Sequence, residues 1–151
     1  MTVADVASEL RILAASFSEE LLVAGSGAAA RRPAEGKWSP KEVLGHLIDS
    51  AANNHQRFIR AQQTDGLTFP GYDQNHWVNS QGYQDADWAH LVTLWTHLNL
   101  HLSDVVGRIP PSKYSTQCAI GGSEPVTLEF LVVDYLRHLQ HHMAQIRNRL
   151  T

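Results

Sequence analysis

Apolar residues recur at intervals of three and four along four stretches of this 151-residue chain, and between them the pattern lapses. That spacing marks one buried face of an α-helix. The first stretch runs from about Thr2 to Val23, with Val6, Leu10, Leu13, Phe17 and Leu21 as its stripe and Glu9, Arg11, Glu19 and Glu20 mostly elsewhere; Gly25-Ser26-Gly27 ends it. After Arg31-Arg32-Pro33 and a short loop to Trp38, Ser39-Pro40-Lys41-Glu42 starts the second. Ser39 supplies an N-cap, Pro40 the first helical position and Glu42 the far side of a capping box, so a helix is predicted to about Gln63. Val43, Leu44, Leu47, Ala51, Phe58 and Ala61 form its apolar arc. His46 lies on the arc's border, and Ser50, Asn53 and Arg57 fall within about 40° of His46 at roughly 100° per residue. A polar stripe beside a core edge points to a cavity rather than plain solvent. The third stretch, about Ala86 to Arg108, carries Trp88, Leu91, Val92, Trp95, Leu98, Leu102, Val105 and Ile109 in one arc and stops at Pro110-Pro111. The fourth follows Thr127, a candidate N-cap, with Val132, Tyr135, Leu139, Met143, Ile146 and Leu150.

Two connections exceed the few residues that a bundle needs. Thr64 to Asp87 holds Gly66, Pro70-Gly71 and Gly82 among Phe69, Tyr72, Trp77 and Tyr83, with a short helix predicted around Asp73 to Ser80. Long loops with apolar anchors pack on something and often cover a site. Tyr72, Asp73 and Trp77 are candidates for a lid, although packing explains Tyr72 and Trp77 equally well. Pro110 to Val126 contains a strand-like run, Tyr114 to Ile120, and a Gly121-Gly122 turn, which makes it a small hairpin or an extended crossover. The prediction is an all-α fold: one domain over 1–151, an up-down four-helix bundle with long crossover connections.

Composition narrows the function. Hydrophobic content of 43% and 18% charged residues suit a globular chain. A formal charge of −3 with scattered Lys and Arg offers no basic stripe, so no nucleic-acid partner is expected. No apolar run approaches the ~18 residues of a membrane span, and no signal segment follows Met1. The lone Cys118 fits a reducing compartment, and a cytoplasmic protein with no membrane partner is expected.

Of nine histidines, His138, His141 and His142 cluster in the fourth helix. With Tyr135 at zero, His138 falls near −60° and His142 near −20°, on the edge of the inward face, while His141 falls near 240° and points away. Two imidazoles one turn apart reach a common ion. His97 and His101 share that spacing, but with His90 and Leu94 they lie opposite the third helix's buried stripe, on a solvated face or a dimer interface. His46, His55, His76 and Cys118 are the candidates for a third ligand. His55 reads as a hydrogen-bonded core histidine, His76 as a loop residue and Cys118 as a small apolar one. His46, near the capped helix start among polar neighbours, is the best placed. Asp49, Ser50, Asn53 and Asp134 are within sequence reach to orient the imidazoles, with nothing to choose among them.

The segment Gly36-Lys-Trp-Ser-Pro-Lys-Glu-Val-Leu-Gly-His46-Leu-Ile-Asp-Ser50 resembles the second helix of the DinB/YfiT-like superfamily, and Thr127 to Ile146 resembles its fourth. The resemblance implies a four-helix bundle, often a homodimer, whose metal site takes one histidine from helix two and a His-x-x-x-His pair from helix four. Carried across, these are His46, His138 and His142. It further implies a divalent metal, zinc or nickel, and in some members a low-molecular-weight thiol used in transferase or isomerase chemistry. On that reading Arg57 and Asn53 are candidates for binding a cofactor or small-molecule substrate, Arg57 through a carboxylate; an ion-paired surface arginine is the plainer alternative.

Three readings follow. The chain is a metal-dependent hydrolase or thiol S-transferase; or it is a non-catalytic, stress-associated metal-binding bundle; or its histidines are ordinary core and surface residues.

Overall fold

The computed structural model describes residues 1–151. Four long helices form where the apolar periodicity lies: α1 (Val3–Val23), α3 (Pro40–Gln62), α5 (Trp88–Gly107) and α6 (Leu128–Leu150). Each starts at a side-chain cap. Thr2 with Asp5 and Ser39 with Glu42 close capping boxes, and Asp87 and Thr127 accept from His90 and Phe130 backbone N–H groups. These caps satisfy amides that have no partner inside the helix. Two shorter helices lie in the connections. α2 (Ser26–Ala30) occupies what reads as a loop, and α4 (Gln74–Ser80), capped by Asp73, falls where a short helix is expected.

The helix directions follow from contacts at their ends. Ser103 Oγ donates to the Ala7 carbonyl and Trp88 Nε1 to that of Leu21, so α1 and α5 are antiparallel. Arg147 pairs with Glu20, so α6 runs parallel to α1. Lys113, beyond the end of α5, donates to the Thr64 carbonyl just past the end of α3, so α3 and α5 run the same way. α1 and α3 each pack against both α5 and α6. Among long helices consecutive in the chain, α1 and α3 are diagonal in the bundle, as are α5 and α6, whereas α3 and α5 are neighbours that run the same way, so the chain between those two has to return along the bundle.

Those connections meet at one end. β1 (Gly66–Phe69) pairs parallel with β2 (Gln117–Ile120), in register Gly66↔Gln117, and β3 (Val126–Thr127) pairs antiparallel with β2. The β2–β3 hairpin is one of the two forms the sequence offers; β1 is not foreseen. Gly121 turns at φ 61° and lies 3.4 Å from Gly71 measured from an added Cβ, a contact with room for little else. From there the chain returns along α3 through α4. Tyr83 lies over Gly45, and Gln84 bonds to Ser39 and to the Ala30 carbonyl. One cluster of 32 buried residues forms the core, with Trp95 its largest fully buried side chain, whose ring meets Phe17 edge-on at 5.5 Å. No helix is long and apolar enough to cross a membrane.

Candidate metal centre

Antiparallel packing of α3 and α6 brings the second turn of one against the middle of the other. His46, 1% exposed, there meets half-buried His138 and His142. One ring nitrogen from each lies within 4.8 Å of the other two. His46 and His138 approach through their Nε2 atoms at 3.1 Å, and the ring centroids are 4.5 to 5.0 Å apart. Two ligands of a tetrahedral site with metal–nitrogen bonds of about 2.05 Å would lie about 3.3 Å apart, so the spacing suits a shared ion. On the far side of each ring, His46 Nδ1 and His138 Nδ1 are buried with no partner. His142 Nδ1 faces Gln145 Oε1 at 2.8 Å; an amide oxygen only accepts, so the proton sits on Nδ1 and Nε2 keeps its lone pair.

The electrostatics point the same way. Burial, then the neighbouring His142 and His138, pulls His46 down to about 3. Burial, then His142 and His141, takes His138 down to about 4. Burial also lowers His142, against the bond to Gln145. All three are neutral at pH 7, the state in which imidazole is a ligand. Trp38 covers His46 at 5.1 Å between ring centroids and is held by Arg149, which donates to its carbonyl.

One turn along α3, buried Asp49 ties the crossover down. Its Oδ1 accepts from Tyr83 Oη at 2.7 Å and Gln81 Nε2 at 2.8 Å, while Oδ2 is buried without a partner. Burial raises the Asp49 carboxyl and those two bonds oppose the rise.

A cavity of about 270 Å³ opens beside His138. Ser50, Asn54 and Arg57 of α3 form one wall, and Leu131, Asp134 and Tyr135 of α6 the other. Gly71, Tyr72 and Gln74 of the crossover close it, and Trp77 backs Tyr72 at 5.1 Å between centroids. A larger groove of about 940 Å³ between α1 and α5 contains none of the three histidines.

Sequence reasoning placed Ser50, Arg57, Tyr72 and Asp134 near the site, and all four line this cavity. Asn53 does not; its amide donates to the Asp49 carbonyl at 2.9 Å, and Asn54 lines the wall instead. Asn54 has a sequence signal, a polar residue within the apolar arc of α3. His55, expected in the core, is half-buried with its ring 5.3 Å from that of His101, because its side of α3 faces the edge of α5. His76 is exposed on α4, Cys118 is buried in β2, and His141 is exposed beside His142. None of His55, His76 or Cys118 joins the cluster.

The DinB superfamily profile matches residues 7–146, nearly the whole chain. The chain belongs to the DinB superfamily. Among solved structures this DinB-superfamily chain is similar to YfiT from Bacillus subtilis, described as a probable metal-dependent hydrolase with an unusual four-helix bundle topology. The TM-score is 0.85 over 97% of this chain and 85% of that one, at 20% identity, so the likeness is one of fold. No curated protein sequence matches.

Proposed function

We propose that this DinB-superfamily chain is a metal-dependent enzyme, a hydrolase or a low-molecular-weight-thiol S-transferase. His46, His138 and His142 hold one divalent ion, zinc or nickel, beside the 270 Å³ cavity that His138 lines. One observation carries the reading: three neutral imidazoles from two helices, His46 standing 92 residues before His138, each bring a ring nitrogen within 4.8 Å of the other two. Three neutral ligands leave the charge of a divalent ion uncompensated and a coordination position open, as in catalytic rather than structural sites. Such an ion supplies Lewis acidity and lowers the pKa of a bound water or thiol toward neutrality.

The protein's own residues do the rest. Trp38 covers one face of His46, Tyr72 walls the cavity, and Ser50 and Asn54 offer hydrogen bonds to a small molecule there. Hydrolase is placed first because YfiT, which has the same fold, carries that description. A homodimer is the proposed assembly, and sedimentation velocity reads it directly.

The test is metal analysis of untagged protein. About one divalent ion per chain is expected, lost in His142→Ala while the helical circular dichroism persists. Turnover of esters, thioesters or thiol conjugates by the loaded protein, absent in the variant, completes it. A full complement of metal with no turnover across that panel supports the non-catalytic bundle instead. Protein that binds no metal and melts unchanged on His142→Ala overturns the reading.

A further inference from the structure

The cavity beside the histidines contains a cation that the fold leaves unused. Arg57 forms no ion pair and no hydrogen bond within the protein, and its Nε is buried without a partner. Phe69 lies against the guanidinium, 5.7 Å from carbon to ring centroid. A ring engages the face of a guanidinium and leaves the in-plane N–H donors unfilled. Taking a charge out of water without a counter-charge is costly, so an unpaired cation in a cavity wall has to be accounted for. The one acidic side chain lining the cavity, Asp134 on the opposite wall, is exposed and forms no ion pair with Arg57.

Position supports a ligand. Arg57 is eleven residues beyond His46 on α3, about 16 Å along the axis. Side chains lean toward the start of their helix, so a long arginine reaches back toward the histidines. On the facing helix, the wall from Leu131 to His138 spans two turns, about 10 Å. The cavity thus joins a fork of donors to His138, one of the three clustered imidazoles. An arginine fork matches both carboxylate and phosphate. Only one cation faces the space and Asp134 stands across from it, which favours a monoanion over a phosphate dianion.

We propose that Arg57 binds the carboxylate of a small organic acid whose reacting group lies against the histidine cluster. Its reacting end rests on the metal-centre reading, and its acidic end rests on Arg57 alone. Ser50 and Asn54 line the middle of the path and suit a polar linker.

The experiment is calorimetric titration of metal-loaded protein with 6-mercaptohexanoate and with 6-mercaptohexanamide, which differ only in the charge at the far end. The acid is expected to bind at least tenfold more tightly. Arg57→Met, which keeps the length of the side chain against Phe69, brings the two to the same affinity with metal content and circular dichroism unchanged. Arg57→Lys keeps part of the preference. Equal affinities in the wild type, no binding of either, or a preference that survives Arg57→Met overturns the proposal. Should the protein bind no metal, hexanoate and hexanamide replace the thiols. A preference for hexanoate that needs Arg57 then upholds the carboxylate pocket although the metal reading has failed, and its absence overturns the pocket as well.

Discussion

Gly45→Ala tests how tightly the crossover is fixed over the histidine helix. In a helix interior this change ordinarily stabilises by up to about 1 kcal/mol. Here an added Cβ would lie 2.1 Å from Tyr83 Cδ2 and 2.3 Å from its Cγ, inside any real contact distance. The ring has little freedom to retreat. Tyr83 is 5% exposed and its hydroxyl is bonded to Asp49 and Gln81. Overpacking of this kind costs roughly 1–3 kcal/mol, and a lost buried hydrogen bond to a carboxylate about 1.5–3 kcal/mol more. Set against the propensity gain, a net loss of about 1.5–5 kcal/mol is expected, a drop in Tm of about 5–15 °C for a chain this long. Differential scanning calorimetry reads it. Gly27→Ala is the control, since nothing lies within 4 Å of its added Cβ, and it should be neutral or slightly stabilising. Combining Gly45→Ala with Tyr83→Ala should cost much less than the sum of the two single changes, because the second removes what the first collides with. A Gly45→Ala protein that melts at or above the wild-type temperature refutes the argument: the crossover would then be loosely held, and Asp49 would not be its anchor.

Three further outcomes follow. Asp49→Ala should destabilise by about 1–3 kcal/mol in urea titration by removing the buried carboxylate that accepts from both Tyr83 and Gln81, while metal content stays near wild type. Ser39→Ala removes the cap of α3 and the bond to Gln84, and should cost about 1–2 kcal/mol. In metal-free protein the unfolded chain takes up protons as pH falls past 6.5, whereas His138 and His46 resist until about 4 and about 3. Stability therefore rises with pH through that window and is fully present above about pH 7. Chelated protein should lose roughly a few kcal/mol between pH 7 and 4, and His46→Gln should flatten the profile.

The helices and their caps were legible because they are local. Ser39, Pro40 and Glu42 act within one turn, and the apolar stripes of α5 and α6 mark the buried face whatever lies opposite. His138 and His142 were legible as a pair for the same reason: four residues fix two side chains on one face. The case of His55 marks the boundary of that reasoning. A helical wheel gives a direction relative to its own axis, and only the neighbouring helix decides whether that direction is core or, as here, a seam beside His101. β1 went unread because four residues carry too little pattern, and its partner β2 lies about fifty positions on.

By itself the sequence determined what each segment becomes and which side of it is apolar, since those depend on interactions a few residues apart. Tertiary structure alone decided which helices are neighbours. Core packing set α1 and α3 on a diagonal and α3 against α6, and that packing brought His46 to the pair on α6, left Arg57 without a partner in the cavity wall, and placed Tyr83 on Gly45. Contacts between residues so far apart in sequence form only when the whole core closes, so no stretch of chain contains them on its own.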